Sequence, residues 1–338
     1  MQLSINNGIS NSLIIIGADW KEAFGMTGGS DFVIVTDMNV SNFYKDDYPD
    51  VPVLVISPGE SSKSLSYIGE LGEELLRLGA DRKTLLIGVG GGVVSDITGF
   101  LASIYMRGIR FGFVSTSLLS QVDASVGGKN GVNLAGTKNV LGTFTQPEFV
   151  ICDPRMLSTL PDDEYLSGLA ELIKMAAILD ENLFTEIENN KGLLIKRDSA
   201  LLADFIGRAV KLKADVVTRD EKEIGPRRIL NFGHTFGHAI ETGCRVKHGF
   251  AVASGMVLAA KLSVSEGLLA VADSERLINM LGEFNLLLKY ELSESELRAL
   301  VSHDKKKEGS NLNFILLDKI GSAVIKQYSL DYLIDWYK

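Results

Sequence analysis

Four histidines occur in the 338 residues, and three of them, His234, His238 and His248, fall within one short window. Histidines scattered through a core or over a surface do not gather in this way, and imidazole nitrogen is a favoured ligand of zinc and neighbouring divalent ions. In Asn231-Phe232-Gly233-His234-Thr235-Phe236-Gly237-His238 two imidazoles stand four apart, on one face of a helix. Such a pair alone is more often structural, and the third histidine turns the balance toward a metal. A carboxylate of the same chemistry is Glu171, three residues before Lys174 and on a common helical face with it. Their surroundings, Gly168-Leu169-Ala170-Glu171-Leu172-Ile173-Lys174-Met175-Ala176-Ala177-Ile178, are almost wholly apolar. Charges in such a setting need partners. A divalent cation for Glu171 and an anion for Lys174 would supply them; a salt bridge on an amphipathic face is the plainer alternative, which the apolar flanks disfavour.

A second group of residues suits phosphate chemistry. Leu85-Leu86-Ile87-Gly88-Val89-Gly90-Gly91-Gly92-Val93-Val94-Ser95-Asp96 reads as a strand, a glycine turn and a helix start. There the backbone can approach a pyrophosphate, and a helix N-terminus offers free N–H groups. The strict dinucleotide fingerprint fails at Val93, so a tight turn of any α/β protein remains the alternative. Asp96, one turn into the helix, is also favoured there by the helix dipole alone. Ser57-Pro58-Gly59-Glu60-Ser61-Ser62-Lys63 follows another strand end, where Glu60 and Lys63 suit the ribose side of a dinucleotide or a plain loop and cap. The segment from Gln121 to Asn130, with Asp123 and Lys129, and the following Gly136-Thr137-Lys138-Asn139 suit a loop closing over an anion, or a solvated hairpin. Lys213, Arg227 and Arg228 are further cations, and Arg227 lies seven residues before His234, where a planar bidentate donor could meet a carboxylate.

The elements that would position these groups fall into two textures. Up to about residue 120, short β-rich runs alternate with helical stretches, as a parallel sheet with crossover helices requires. Strands are predicted at Ser12–Gly17, Asp31–Asp37, Pro52–Ser57, Thr84–Val89 and Arg110–Ser115, with a one-faced helix at Ser62–Leu78. After Cys152-Asp153-Pro154 come long helical stretches, Asp162–Asp180, Leu201–Val217, Thr235–Thr242, Ala251–Glu266 and Asp273–Glu283, then two strand-like runs, Asn311–Leu317 and Ser322–Gln327. We therefore expect a Rossmann-like α/β dinucleotide-binding domain at 1–152 and a mainly α-helical metal- and substrate-binding domain at 153–338, packed across a cleft. The length suits two domains, and 46% hydrophobic with 23% charged residues is the balance of a globular chain. A net charge of −9 argues against nucleic acid. Cys152 and Cys244 are too few for a disulfide framework. The first residues lack the pattern of a signal peptide and no later segment reads as spanning a bilayer, so a cytoplasmic location and no membrane are expected.

Taken together, these segments closely resemble the 3-dehydroquinate synthase family of sugar phosphate cyclases. The resemblance runs from about Ser57 to Asp304-Lys305-Lys306 and is carried by six motifs in order. They are Gly90-Gly91-Gly92-Val93-Val94-Ser95-Asp96, Met106-Arg107-Gly108, Ser120 to Lys129, Gly168 to Lys174, Leu230 to His238, and His248-Gly249. It implies an N-terminal NAD domain and zinc, or cobalt, held by Glu171, His234 and His248. The residue-level pairing of His234 with His238 is thereby changed, and His238 becomes an active-site group beside the metal. By the same matching Lys129, Asn139, Lys174 and Lys305 or Lys306 face the substrate phosphate, and Lys213 with Arg227 its carboxylate. Asp123, Asn231 and His238 would meet hydroxyls or relay protons. NAD would be held by Glu60, Lys63, Gly91, Gly92, Val93, Val94, Asp96, Thr116, Ser117 and Lys138, and Arg107 would reach the phosphate site of a neighbouring subunit in a homodimer. Two positions depart from the family pattern: Phe250 stands where Glu is common, and Ser95 where glycine is common.

The implied reaction converts 3-deoxy-arabino-heptulosonate 7-phosphate to 3-dehydroquinate and phosphate. It runs through transient oxidation by NAD, phosphate elimination, re-reduction, ring opening and aldol closure. The rivals are another sugar phosphate cyclase acting on a substrate without a carboxylate, a metal-dependent polyol dehydrogenase of related fold, and a catalytically silent NAD-binding regulator. Lys213 and Arg227 argue against the first, the phosphate cluster against the second, and the intact matches at Glu171, His234, His248, Lys129 and Lys174 against the third.

Overall fold

The computed structural model describes residues 1–6, 11–290, 292–302, 307–308 and 311–337; Lys305 and Lys306 lie outside them. The chain divides into two compact units, Met1–Leu160 with Ser199–Lys222, and Pro161–Asp198 with Glu223–Lys338. This partition differs from the single break expected at residue 152. The helix Ser199–Arg219, expected in the second domain because long helical stretches follow residue 152, belongs to the first unit. Spacing reveals that a helix has a face to bury, and not which sheet or helix will cover it.

The first unit carries strands β1 (Gln2–Asn6), β2 (Asn11–Ile16), β3 (Phe32–Asp37), β4 (Val53–Ile56), β5 (Leu85–Gly90), β6 (Arg110–Ser115), β7 (Lys129–Leu134), β8 (Thr137–Phe144) and β9 (Phe149–Cys152). Seven form one sheet in the order β1-β2-β9-β6-β5-β3-β4, parallel except for the β1–β2 pair. Buried along its whole length, β5 reads as the continuous apolar run that a central parallel strand requires. Gly90 at its end is dictated by close approach: a Cβ there would lie 2.4 Å from the Val94 side chain of the following helix, Gly92–Ile104. Between the sheet and the segment Trp20–Gly25 sits a core that includes Trp20, Ile34, Ile87, Val114 and Phe149. The pair β7–β8 forms a separate antiparallel hairpin against the Gly92–Ile104 helix, so of the segment read as loop or hairpin the part from Lys129 to Asn139 lies in a hairpin, while Ser120–Ala124 is a helical turn.

The second unit is mainly helical, with a small sheet of β10 (Lys307–Glu308), β11 (Asn311–Lys319) and β12 (Ser322–Ser329). Its site-bearing helices are Asp162–Leu179, His234–Cys244 and His248–Ser265. By length and composition alone His248–Ser265 is, among the described residues, the one helix that could cross a membrane, and a helix buried in a core meets the same test. Its apolar character is matched by its surroundings in the unit. It packs against Asp162–Leu179, His234–Cys244, the helix Val271–Glu283 and β11, with Ala251, Val252, Met256 and Leu262 buried.

Candidate active site

Gly233, in the left-handed region at φ 78°, turns the chain so that His234 is the first residue of its helix. The Nδ1 of His234 lies 3.1 Å from the Phe232 carbonyl oxygen, so Nδ1–H donates there and Nε2 is left with its lone pair. That Nε2 is 3.7 Å from Oε1 of Glu171. His248 opens the next helix and brings its Nε2 to 3.3 Å from the same oxygen, while its Nδ1 is 3.1 Å from Oε2 of Glu241. Gly249 permits this, because its N–H donates to Ser167 Oγ at 2.9 Å and a Cβ would fall 2.1 Å from the Ser167 carbonyl oxygen. Two helices thus touch backbone to backbone one turn before Glu171.

Glu171 and Lys174 are both buried, and the Lys174 ammonium closes on Oε2 of Glu171. Neither carboxylate oxygen has a well-directed hydrogen bond among the described residues, although both are fully buried. A buried carboxylate whose only partners among the described residues are an ammonium and two imidazole Nε2 atoms fits a divalent ion, and the three donor atoms lie within 4.8 Å of one another. Burial alone would raise the Glu171 carboxyl, but the charge of Lys174 and the contact with His248 more than reverse this and hold it at about 2. For His248 burial disfavours the charged ring, and the carboxylates of Glu171 and Glu241 outweigh it, pushing the ring up to about 9. Without a metal the ring therefore keeps a proton at neutral pH, which an ion entering at Nε2 must displace.

His238 joins the same cluster, its ring centroid 5.2 Å from that of His234 and 6.1 Å from that of His248. With Glu241 and His248 it forms a second group of three donors. Glu241 was missed by sequence reasoning, yet it stands three residues after His238 and seven after His234, on their helical face. Asn231 donates to Glu223 Oε1, and Arg227 is buried in the 3-10 segment Pro226–Asn231.

In the first unit the chain runs from β3 to β4 on one side and then returns to β5 on the other, so the order reverses between β3 and β5. Ligands of open α/β sheets bind at the carboxyl ends of strands at such a point. The Gly91–Gly92 turn stands there, flanked by Thr116, whose N–H donates to the Gly90 carbonyl at 2.9 Å, and by Ser117, whose Oγ is 3.1 Å from where a Gly91 Cβ would be. Val93 and Val94 continue into the helix. Lys63 is buried, its Nζ 2.6 Å from Asp96 Oδ2, 2.6 Å from Asn139 Oδ1 and 3.5 Å from Glu60 Oε1. Asn133, which no sequence signal marked, ties this group together by donating to Glu60 at 3.0 Å and accepting the Asn139 N–H at 2.9 Å. Burial raises the Asp96 carboxyl and Lys63 partly offsets it, leaving the group at about 6.

Asn139, expected at the substrate phosphate, is thus bonded beside the glycine turn. Lys213 donates to the Asp123 side chain at 2.5 Å and to its backbone oxygen at 2.6 Å. Lys213 belongs to the first unit and Arg227 to the second. Lys129, Lys138 and Arg107 are exposed. Arg107 follows Met106 in a turn where both have positive φ, 71° and 47°, a backbone region sparsely used by residues with side chains.

A family model described as 3-dehydroquinate synthase N-terminal matches residues 53–167, and its C-terminal counterpart matches residues 168–307. The chain is 45% identical over 278 residues to a 3-dehydroquinate synthase of Campylobacter concisus, covering 81% of this chain and 79% of that one. Among solved structures, a 2-epi-5-epi-valiolone synthase of Streptomyces hygroscopicus with NAD+ and Zn2+ bound is 27% identical, with a TM-score of 0.89 over 99% of this chain and 97% of that one. A 2-deoxy-scyllo-inosose synthase complexed with carbaglucose-6-phosphate, NAD+ and Co2+ is 26% identical, with a TM-score of 0.89 over 99% and 98%. Both family models fall on the segments that carry the glycine turn and the Glu171–histidine cluster, and this chain belongs to the 3-dehydroquinate synthase family.

Proposed function

We propose that the chain converts 3-deoxy-arabino-heptulosonate 7-phosphate to 3-dehydroquinate and phosphate, with NAD and a zinc or cobalt ion as cofactors. The observation that carries this reading is the convergence of two imidazole Nε2 atoms on the fully buried carboxylate of Glu171. Bound there, the ion would supply Lewis acidity to a substrate hydroxyl, and a dinucleotide held at the glycine turn would supply a reversible hydride acceptor.

The remaining work falls to side chains. Amides at the Gly91–Gly92 turn and the helix N-terminus that follows receive the dinucleotide pyrophosphate, with Val93, Val94, Thr116, Ser117 and Lys138 around it. Glu60, Lys63 and Asp96, held in one bonded group, take the adenosine side. Lys174, already beside Glu171, offers its ammonium to the substrate phosphate together with Lys129, Asn139, Lys305 or Lys306, and with Arg107 of a second copy in a homodimer. Lys213, oriented by Asp123, and Arg227 receive the carboxylate, while Asn231 and His238 hold hydroxyl protons. Once the substrate carries a ketone, the adjacent C–H is acidified and phosphate leaves by elimination, its own oxygen accepting the proton.

The test is incubation with the heptulosonate phosphate and trace NAD. Phosphate released should greatly exceed NAD supplied, with no lasting growth of NADH absorbance. Stoichiometric NADH accumulation would move the chain to the dehydrogenases, and turnover confined to a sugar phosphate lacking a carboxylate would move it to another cyclase.

A further inference from the structure

We propose that Glu241 is a positioning residue of the metal centre: its carboxylate holds the His248 ring as the Nδ1–H tautomer and so aims the Nε2 lone pair at the ion, an inference that rests on the metal reading above. Oε2 of Glu241 is 3.1 Å from Nδ1 of His248, and the Glu241 side chain is only 12% exposed. An imidazole with no partner at Nδ1 can turn about its ring bond and exchange tautomers, and one of the two tautomers offers no lone pair at Nε2. A carboxylate acceptor removes that freedom and makes Nε2 a stronger donor.

The two ligand imidazoles are oriented by different means. His234 is fixed by the Phe232 carbonyl, which is neutral and part of the backbone. His248 is fixed by an anionic side chain carried on the helix that His234 begins, two turns further along. One helix therefore supplies a ligand and also orients the ligand of its neighbour.

Glu241 is itself one of three donors with His238 and His248, so it could instead be read as a ligand. The hydrogen-bond pattern decides between the two roles. Both oxygens of Glu171 are buried without a directed donor, which an ion would satisfy, whereas Glu241 already accepts from the His248 ring. A ring nitrogen cannot keep its proton for Glu241 and bind a metal with the same lone pair.

The experiment measures zinc and cobalt affinity of the chelator-stripped protein by competition, together with the visible spectrum of the cobalt form, for wild type, Glu171→Ala, Glu241→Ala and Glu241→Gln. Glu241→Ala should bind about 10–100-fold more weakly. Glu241→Gln, which keeps a neutral acceptor, should lie between it and wild type, and the cobalt spectrum should shift in both. A merely structural role would lower the melting temperature of the stripped protein and leave the cobalt spectrum in place. If wild type and Glu171→Ala take up the ion equally, the metal reading itself fails. If wild type binds and Glu171→Ala does not, but both Glu241 variants stay within about twofold of wild type with an unchanged spectrum, the Glu241 inference alone is overturned. Should Glu241→Ala not fold, the affinity and spectrum of Glu241→Gln decide by the same criteria.

Discussion

His234 and His238 have ring centroids 5.2 Å apart on one helix, yet the ring that shares the Glu171 carboxylate with His234 is His248, from the next helix. This sets distinct expectations for neighbouring imidazoles. His248→Ala should lose bound zinc and turnover together, whereas His238→Ala should keep zinc and lose turnover, as read by metal content after gel filtration beside activity. Metal lost from His238→Ala and kept by His248→Ala would reverse the assignment. Asp96 gives a second residue-scale test. Its folded value of about 6 lies above the ordinary 3.8 because burial penalises the charge, with Lys63 pulling the other way. Protonation therefore stabilises the fold, a contribution complete below pH 3.8 and lost as pH rises through 6. Lys63→Met removes the opposing cation, so a carboxyl-carbon NMR titration should find Asp96 moved further up; an unchanged or lower midpoint would refute the account.

At the scale of elements, the metal cluster depends on two helices touching at Gly249 and Ser167, where a Cβ has 2.1 Å of room. Gly249→Ala must push them apart, and overpacking of this kind costs about 1–3 kcal/mol. The expected fall in Tm is roughly 2–12 °C, with weaker metal binding because His248 is the adjacent residue; a Tm within 1 °C or so of wild type would show that the contact yields freely. Much of this level was legible in the sequence. The run Leu85–Gly90, the glycine turn and the helices bearing Glu171 and His234 follow from local periodicity and from glycine, which act over a few residues, whereas the helix that His248 begins was expected only from Ala251. The strand Phe149–Cys152 was not legible, since four residues become a strand through pairing with Asn11–Ile16 and Arg110–Ser115, far away in the chain. Glu241 escaped for a related reason. Its role is defined by a ring on another helix, and spacing within its own helix says nothing of that partner.

For the whole molecule, the proposed homodimer makes a sharp prediction through Arg107, which is exposed in its strained turn. If Arg107 serves the phosphate site of a neighbouring copy and Lys129 serves its own, Arg107→Ala and Lys129→Ala homodimers should each be nearly inactive. A heterodimer would hold one site with both groups and one with neither. Random co-assembly from equal amounts should then restore about a quarter of wild-type activity per chain. The measurement is activity of the two differently tagged mutants co-expressed in equal amounts, and the heterodimer isolated from that mixture through both tags should reach about half of wild-type activity per chain. No recovery, with both single mutants folded and dimeric, would remove Arg107 from a shared site. The two-unit partition has a further consequence, for the order in which the protein can be made. The first unit is discontinuous: it is left at Leu160 and rejoined at Ser199. Gly207 of the returning helix lies against Met1, Ala203 against Gly17, and Lys213 against Asp123. A chain growing on the ribosome therefore finishes the sheet of its first half long before it makes the helix that covers β1 and β2. During that interval the nascent first half presents an uncovered apolar edge, and the segment Pro161–Asp198 must emerge before its own partners exist. The first unit can therefore close only once Ser199–Lys222 has emerged, and the second only later still, when Glu223–Lys338 joins the waiting segment Pro161–Asp198.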